Sequence, residues 1–110
     1  MQRALFICSK NRLRSPTAEQ IFAGRPNVEV DSAGLAADAN IRVSSDHIAW
    51  ATIIFVMEPK HRTALRRQFA EQLRGKRVVC LHIADLYRYM QPELIARLLQ
   101  QVEPHLSDLP

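Results

Sequence analysis

Strand-like and helix-like segments alternate along the whole chain, and this alternation restricts the fold more than any other feature. Four short apolar runs, typical of buried strands, lie at residues 4–7, 28–31, 53–57 and 78–81. Each run is followed by a helix signal, at residues 15–16, 44–45, 58–59 and 92. Such alternation predicts a parallel sheet with helices on both faces, whose ligands bind at the carboxyl ends of the strands.

The same signals predict where the individual elements begin and end. The run at 53–57 is the most apolar and is expected in the centre, whereas Val28 and Val30 alternate with acidic residues and predict an edge strand that gives way to a loop from Asp31 onward. Ser15 is expected to cap the first helix, with Pro16 in the first helical position. The predicted helices cover residues 16–22, 45–50, 59–74 and 92–103.

Composition favours a single globular domain, residues 1–110, in the cytoplasm. The chain has no apolar stretch near the roughly 20 residues that span a membrane, and its amino terminus leads into a strand rather than a signal peptide. With only two cysteines, neither a disulfide framework nor zinc is expected. The formal net charge of +4 comes largely from residues 60–77, a solvated face without interleaved aromatic residues, so no specific nucleic-acid binding is expected. The oligomeric state stays open.

Residues 8–15, called the Cys8 loop below, join the first strand to the first helix with the pattern Cys-x5-Arg-Ser. A loop this short must curl, with backbone N–H groups directed at an anion near the positive end of the helix dipole. The dipole and Arg14 both favour the thiolate of Cys8, a candidate nucleophile. Arg14 can hold two phosphate oxygens, and Ser15 can donate a hydrogen bond to the sulfur. Each residue alone is ordinary, but together they predict a phosphate-binding loop.

Asp85 follows the fourth strand and is a candidate general acid. Parallel strands bring the loops after strands one and four to the same edge of the sheet, where Tyr87 and a second tyrosine could hold Asp85 partly desolvated. The alternative is a plain loop aspartate, and spacing alone does not choose between the two. His61, in the first turn of a helix, and His82 are expected to be surface or capping residues.

Taken together, these residues resemble the low-molecular-weight protein tyrosine phosphatase family. The resemblance rests on Cys8-x5-Arg14-Ser15-Pro16 followed by Ala18-Glu19, on Asp31-Ser32-Ala33-Gly34, on the strand ending Met57-Glu58, and on Asp85-x-Tyr87. These motifs span nearly the whole chain in order, and the chain is most similar to a compact bacterial subgroup of predicted protein tyrosine phosphatases. The resemblance implies a flavodoxin-like, four-stranded parallel sheet of strand order 2-1-3-4.

The resemblance also implies roles for individual residues in a cysteinyl-phosphate mechanism. Cys8 would be the nucleophile, Arg14 the phosphate clamp, Ser15 the hydrogen-bond donor to the thiolate, and Asp85 the acid and then the base. Asn11 would shape the loop in a left-handed conformation, supported by Ser32. The substrate would be bound by Ser9, Lys10, Asn11, Arg12, Leu13 and Tyr87. No cofactor and no metal are implied.

Several positions depart from the family pattern. Lys10 replaces a glycine, and Leu13 replaces a second loop cysteine, which removes an intraloop disulfide. Leu86 replaces the proline after the general acid, and the segment after Gly34 is short and lacks an aromatic residue that holds the phosphotyrosine ring. These departures affect tyrosine specificity more than phosphatase chemistry.

We therefore expect a hydrolase for aryl or tyrosine phosphate monoesters, with a phosphorylated protein or a small aryl phosphate as substrate. One alternative is arsenate reduction on the same scaffold, which would need Cys80, the second thiol, expected to be buried and inert. Another is a phosphoprotein-binding module without hydrolysis, which the altered positions Lys10 and Leu86 make conceivable.

Overall fold

The computed structural model describes residues 1–106 and contains a four-stranded sheet, so residues 107–110 of the expected domain lie outside the described part. The strands are β1 (Gln2–Cys8), β2 (Val28–Gly34), β3 (Ile53–Val56) and β4 (Arg77–Cys80). They lie in the order β2-β1-β3-β4, and all three pairings are parallel. The predicted fold class and strand order are therefore confirmed, with β2 at an edge and β3 in the interior.

Helices cover both faces of this sheet. They are α1 (Arg14–Phe22), α2 (Ser45–Trp50), α3 (Pro59–Phe69) and α4 (Pro92–Val102), followed by a short 3-10 turn at Glu103–His105. Side chains of β1 alternate between the faces: Phe6 and Cys8 pack in the core with α1 and α4, and Leu5 and Ile7 pack in the core with α2 and α3. Full burial of such an apolar side chain contributes about 1.5–3 kcal/mol. The pattern thereby fixes Cys8 on the α1 and α4 side.

Two predicted boundaries next to the Cys8 loop are wrong. Helix α1 begins at Arg14 with Leu13 as its N-cap, so Ser15 is a helical residue rather than the cap. Its hydroxyl is instead engaged by Cys8 and Asn11, which explains why it does not cap the helix. Strand β2 continues to Gly34 rather than ending near Asp31, because Gly34 still pairs with Cys8 at the end of β1.

Helix α3 is shorter than predicted. It ends at Phe69, and residues 70–75 form an irregular turn in which the N–H groups of Leu73 and Arg74 donate to Phe69 and Glu71. Gly75, with φ of 74°, ends that turn, which is the conformation glycine adopts most easily. Within residues 1–106, no helix combines the length and apolar character needed to cross a bilayer.

The carboxyl ends of β1, β3 and β4 meet at one edge of the sheet. The N–H of Met57 donates to the carbonyl of Ile7 at 3.1 Å, and the N–H of Ile83 donates to the carbonyl of Met57 at 2.8 Å. Hydrogen bonding thus continues past the last residues of the strands into the segments that follow. As a result, the residues after β3 and β4 lie next to the Cys8 loop.

Candidate active site

The Cys8 loop is pinned on one side by the connection between β2 and α2. The carbonyl oxygens of residues 8, 9 and 10 accept hydrogen bonds from the N–H groups of Leu35, Ala36 and Asn40 at 3.1, 2.9 and 3.0 Å. In a trans peptide, the carbonyl of one residue and the N–H of the next residue point in opposite directions. The N–H groups of residues 9–11 therefore face away from that connection. The backbone N–H groups of residues 10–13 have no hydrogen-bond acceptor among residues 1–106. These donors are available to an anion.

Gly34 sets how closely the Cys8 loop approaches β2. A Cβ at this position would lie 2.8 Å from the carbonyl oxygen of Ser9, 2.9 Å from the backbone nitrogen of Asn11 and 2.7 Å from the Cβ of Ala39. No side chain fits in that space, so a residue without one lets the loop lie against the strand.

A chain of hydrogen bonds runs from the sulfur of Cys8 into α1 and β2. Cys8 is only 3% exposed, and its Sγ lies 3.0 Å from the hydroxyl of Ser15. The amide Nδ2 of Asn11 donates to Ser15 and to Ser32, both at 2.9 Å, and the Ser32 hydroxyl donates to Glu19. Because Ser15 accepts a hydrogen bond from Asn11, its own proton is left to donate, either to the sulfur at 3.0 Å or to the carbonyl of Ala33 at 3.5 Å. Asn11 has φ of 54°, in the left-handed region that asparagine tolerates.

Arg14 is buried, with 2% of its surface exposed, and is oriented from two sides. Its Nη1 donates to Oε1 of Glu58 at 2.5 Å and to the carbonyl of Ile83 at 2.7 Å. Partial burial raises the pKa of Glu58, but the hydrogen bond and the charge of Arg14 together outweigh it and hold that pKa below its usual range. The guanidinium is therefore held in one orientation at the bottom of the site.

A pocket of about 180 Å³ opens above these groups. It is lined by Cys8, Ser9, Lys10, Arg12, Leu13, Arg14 and Asp85. Asp85 lies across the pocket from the Cys8 loop, with Oδ1 3.7 Å from Nε of Arg14. Contrary to the expected partial desolvation, 61% of the Asp85 side chain is exposed, because the residue stands in an open turn closed by a bond from Leu86 N–H to the carbonyl of Ala84 at 2.9 Å.

The remaining predicted binding residues take different positions. Lys10 and Arg12 point their charges at Asp38, with 2.6 Å from Nζ of Lys10 to Oδ2 of Asp38, and that hydrogen bond lowers the pKa of Asp38. Tyr87 packs, partly buried, against the core shared by α1 and α4 and is not among the residues that line the pocket. Sequence reasoning did not identify Asp38, whose place in an irregular connection carries no signal.

His61 is a second residue that the sequence did not mark as part of the site. It is 2% exposed, its Nδ1 accepts the backbone N–H of Glu58 at 3.0 Å, and its Nε2 lies 2.9 Å from the hydroxyl of Ser9. Burial, reinforced by the charge of Arg14, lowers the pKa of His61 to about 4. The capping contact agrees with the expected helix-start role, but the expected surface position is wrong because the ring packs under the Cys8 loop.

Comparisons with known proteins find one family to which part of this chain is similar. A family model described as low molecular weight phosphotyrosine protein phosphatase matches residues 3–51, which include the whole Cys8 loop. A protein-arginine-phosphatase of Geobacillus stearothermophilus is 29% identical over 93 residues, covering 63% of each chain. This chain thus spans 63% of the length of that curated relative.

Solved structures share the fold over nearly the whole chain. The tyrosine phosphatase Wzb from Escherichia coli K30, in complex with phosphate, is 25% identical with a TM-score of 0.76, over 96% of both chains. The YwlE arginine phosphatase from Geobacillus stearothermophilus is 23% identical with a TM-score of 0.73, over 96% of this chain and 93% of that one. The family model matches the part of the chain that carries the Cys8 loop, and the solved structures share its fold: the chain is similar to the low molecular weight phosphotyrosine protein phosphatases.

Proposed function

We propose that this protein is a cysteine-dependent phosphatase that hydrolyses aryl or tyrosine phosphate monoesters, on a phosphorylated protein or a small aryl phosphate. The observation that carries the proposal is the position of the Cys8 sulfur, hydrogen-bonded to Ser15 beside buried Arg14 in a pocket with Asp85 at its rim. The family-model match over residues 3–51 and the similarity to a protein-arginine-phosphatase support the same reaction class.

In the first step, Cys8 attacks the phosphorus atom as a thiolate. The sulfur–phosphorus bond forms as the bond to the ester oxygen breaks, and Asp85 transfers its proton to that leaving oxygen. The free N–H groups of residues 10–13 and the guanidinium of Arg14 supply donors for the equatorial oxygens. The Ser15 hydroxyl stabilises the negative charge on sulfur before the attack.

In the second step, water releases the phosphate. Asp85, now a carboxylate, takes a proton from water as its oxygen attacks the phosphorus of the cysteinyl phosphate. The sulfur–phosphorus bond breaks, inorganic phosphate leaves, and Cys8 returns to the thiolate. The hydrogen bond from Ser15 helps here a second time, because the sulfur is then the leaving group.

Replacement of the nucleophile tests this proposal. Cys8→Ser should abolish hydrolysis of 4-nitrophenyl phosphate while the protein still binds vanadate or orthophosphate, since the amides and Arg14 remain. A Cys8→Ser protein that retains substantial turnover would refute the assignment. Tight binding of a phosphotyrosine peptide by the wild type with no turnover at any pH would favour the binding module instead.

A second candidate substrate is phosphoarginine in proteins, favoured by the 29% identical protein-arginine-phosphatase. The exposed carboxylate of Asp85 at the pocket rim could pair with a cationic guanidinium group, and the pocket has Leu13 as its one large apolar side chain. The test is a comparison of kcat/KM for matched peptides that carry phosphotyrosine or phosphoarginine at the same position. A preference for the phosphoarginine peptide would replace the tyrosine assignment and leave the reaction class intact.

Arsenate reduction is disfavoured by the position of the second thiol. Cys80 packs against the core with α2 and α3, whereas Cys8 packs on the opposite face with α1 and α4. A thiol relay between the two sulfurs would have to pass through the sheet. Cys80→Ala should therefore keep full phosphatase activity, and loss of an arsenate-dependent thiol oxidation in that variant would revive the alternative.

A further inference from the structure

The contacts of His61 fix which ring nitrogen carries the proton. Nδ1 accepts the backbone N–H of Glu58 at 3.0 Å, so it cannot itself hold a proton in this arrangement. The proton of the neutral ring is therefore on Nε2, which lies 2.9 Å from the Ser9 hydroxyl oxygen. His61 is the donor in this hydrogen bond and Ser9 is the acceptor.

This direction leaves the Ser9 hydroxyl proton for another acceptor. A hydroxyl oxygen has one proton and two lone pairs, and His61 occupies a lone pair. Among residues 1–106, the Ser9 hydroxyl makes its one hydrogen bond with His61. Ser9 lines the same pocket as Cys8 and Arg14, directly after the nucleophile in sequence. Ser9 also lines a second hollow, which His61 shares, so its side chain lies between the two, and its free proton has the phosphate-sized pocket within reach.

We propose that the Ser9 hydroxyl is a further donor to the phosphoryl oxygens and that His61 is the positioning residue that aims it. The proposal rests on the proposed phosphatase function and adds a neutral donor to Arg14 and the loop amides. Glu58 links the two sets, since its backbone N–H orients the imidazole while its side chain orients Arg14. The start of α3 would therefore position two of the groups that bind the oxyanion, the Ser9 hydroxyl and the Arg14 guanidinium.

A set of variants separates this role from a structural one. Ser9→Ala removes the donor, and His61→Phe keeps a ring of similar shape without its nitrogens. His61→Gln should rescue the contact, because a Gln side chain offers an acceptor and a donor and is usual at this capping position. The matched control is His47→Phe, since His47 makes the same capping contact in α2, 3.0 Å from the N–H of Ser44, and lies outside the pocket.

The expected results are defined for 4-nitrophenyl phosphate hydrolysis. Ser9→Ala should lower kcat/KM roughly tenfold to a hundredfold, the range for a hydrogen bond to a charged group. His61→Phe should give most of the same loss, the double variant should be no worse than Ser9→Ala, and His61→Gln and His47→Phe should stay near wild type. A Ser9→Ala protein within about twofold of wild type, or losses that multiply in the double variant, would overturn the proposal.

Two further measurements keep the outcome decisive. If the wild type hydrolyses no phosphate monoester, the proposed function fails, and the affinity for orthophosphate then tests the role of Ser9 and His61. Roughly tenfold weaker binding in Ser9→Ala would support that role, and unchanged binding would overturn it. If His61→Phe does not fold, the NMR signal of the imidazole Nε2–H decides. It should shift when orthophosphate is added to the wild type but not when it is added to Ser9→Ala, and equal shifts in both would overturn the proposal.

Discussion

His61 should make the folded protein sensitive to mild acid. Burial and the charge of Arg14 lower the pKa of His61 from 6.5 to about 4, and the ring is only 2% exposed. At about 1.4 kcal/mol per pH unit, this difference corresponds to about 3 kcal/mol of unfolding free energy. Between pH 6.5 and 4 the unfolded chain binds a proton that the folded chain does not, so stability falls as the pH falls through this window. Well above pH 6.5 neither state is protonated at His61, and the full stability is present.

Urea unfolding followed by the fluorescence of the single tryptophan, Trp50, measures this effect. Wild type should lose about 3 kcal/mol more than His61→Gln between pH 7 and pH 4, because glutamine keeps the helix-start contacts but does not titrate. His47→Gln, which removes a histidine from the same position of α2, is the matched control and should follow the wild-type curve. If wild type and His61→Gln lose stability in parallel, the reasoning about the buried imidazole is refuted.

Three further predictions concern the Cys8 loop and its rim. Asn11→Ala should lower the unfolding free energy by about 1–3 kcal/mol in urea titrations, since it leaves two buried hydroxyls without their shared donor at a positive φ. Gly34→Ala should cost about 1–3 kcal/mol in the same assay and weaken orthophosphate binding, because the added Cβ meets the carbonyl of Ser9; unchanged binding would show that the loop tolerates displacement. Asp85→Asn should reduce kcat about 100-fold or more for phenyl phosphate and less for 4-nitrophenyl phosphate, whose leaving oxygen needs less protonation; equal losses on both esters would remove Asp85 as the acid.

Local patterns were sufficient to predict the sheet and the position of its loop. The apolar runs at 4–7 and 53–57 become β1 (Gln2–Cys8) and β3 (Ile53–Val56), and the alternation of strands with helices predicted the parallel arrangement. Helix α2 begins where the Ser44 signal predicts, with the Ser44 hydroxyl accepting the N–H of His47. These features depend on residues that are close in sequence, so they can be predicted from local propensity and periodicity.

Contacts between distant segments could not be predicted in this way. Ser15 has every local property of a helix cap, yet its hydroxyl is used by Cys8 and Asn11, and the helix begins one residue earlier. The pairing of Arg14 with Glu58 joins residues that are 44 positions apart, and the pairing of Ser9 with His61 joins residues 52 positions apart. Such pairs depend on the register of β1 and β3, which brings the start of α3 next to the Cys8 loop and is not encoded by a short motif.

The Cys8 loop is held from three directions before any anion arrives. Gly34 and the connection after β2 hold its carbonyls, the start of α3 holds Ser9 and Arg14, and the carbonyl of Ile83 holds Arg14 from the side of β4. Donors fixed in this way need no reorganisation when charge develops on a phosphoryl group, which is the condition for strong electrostatic stabilisation. Asp85 differs, because its one close charged partner among residues 1–106 is Arg14 at 3.7 Å and most of its side chain is exposed. The residues proposed to bind the anion are therefore held by contacts on several sides, and we expect differences in rate between leaving groups to arise at the rim where Asp85 stands.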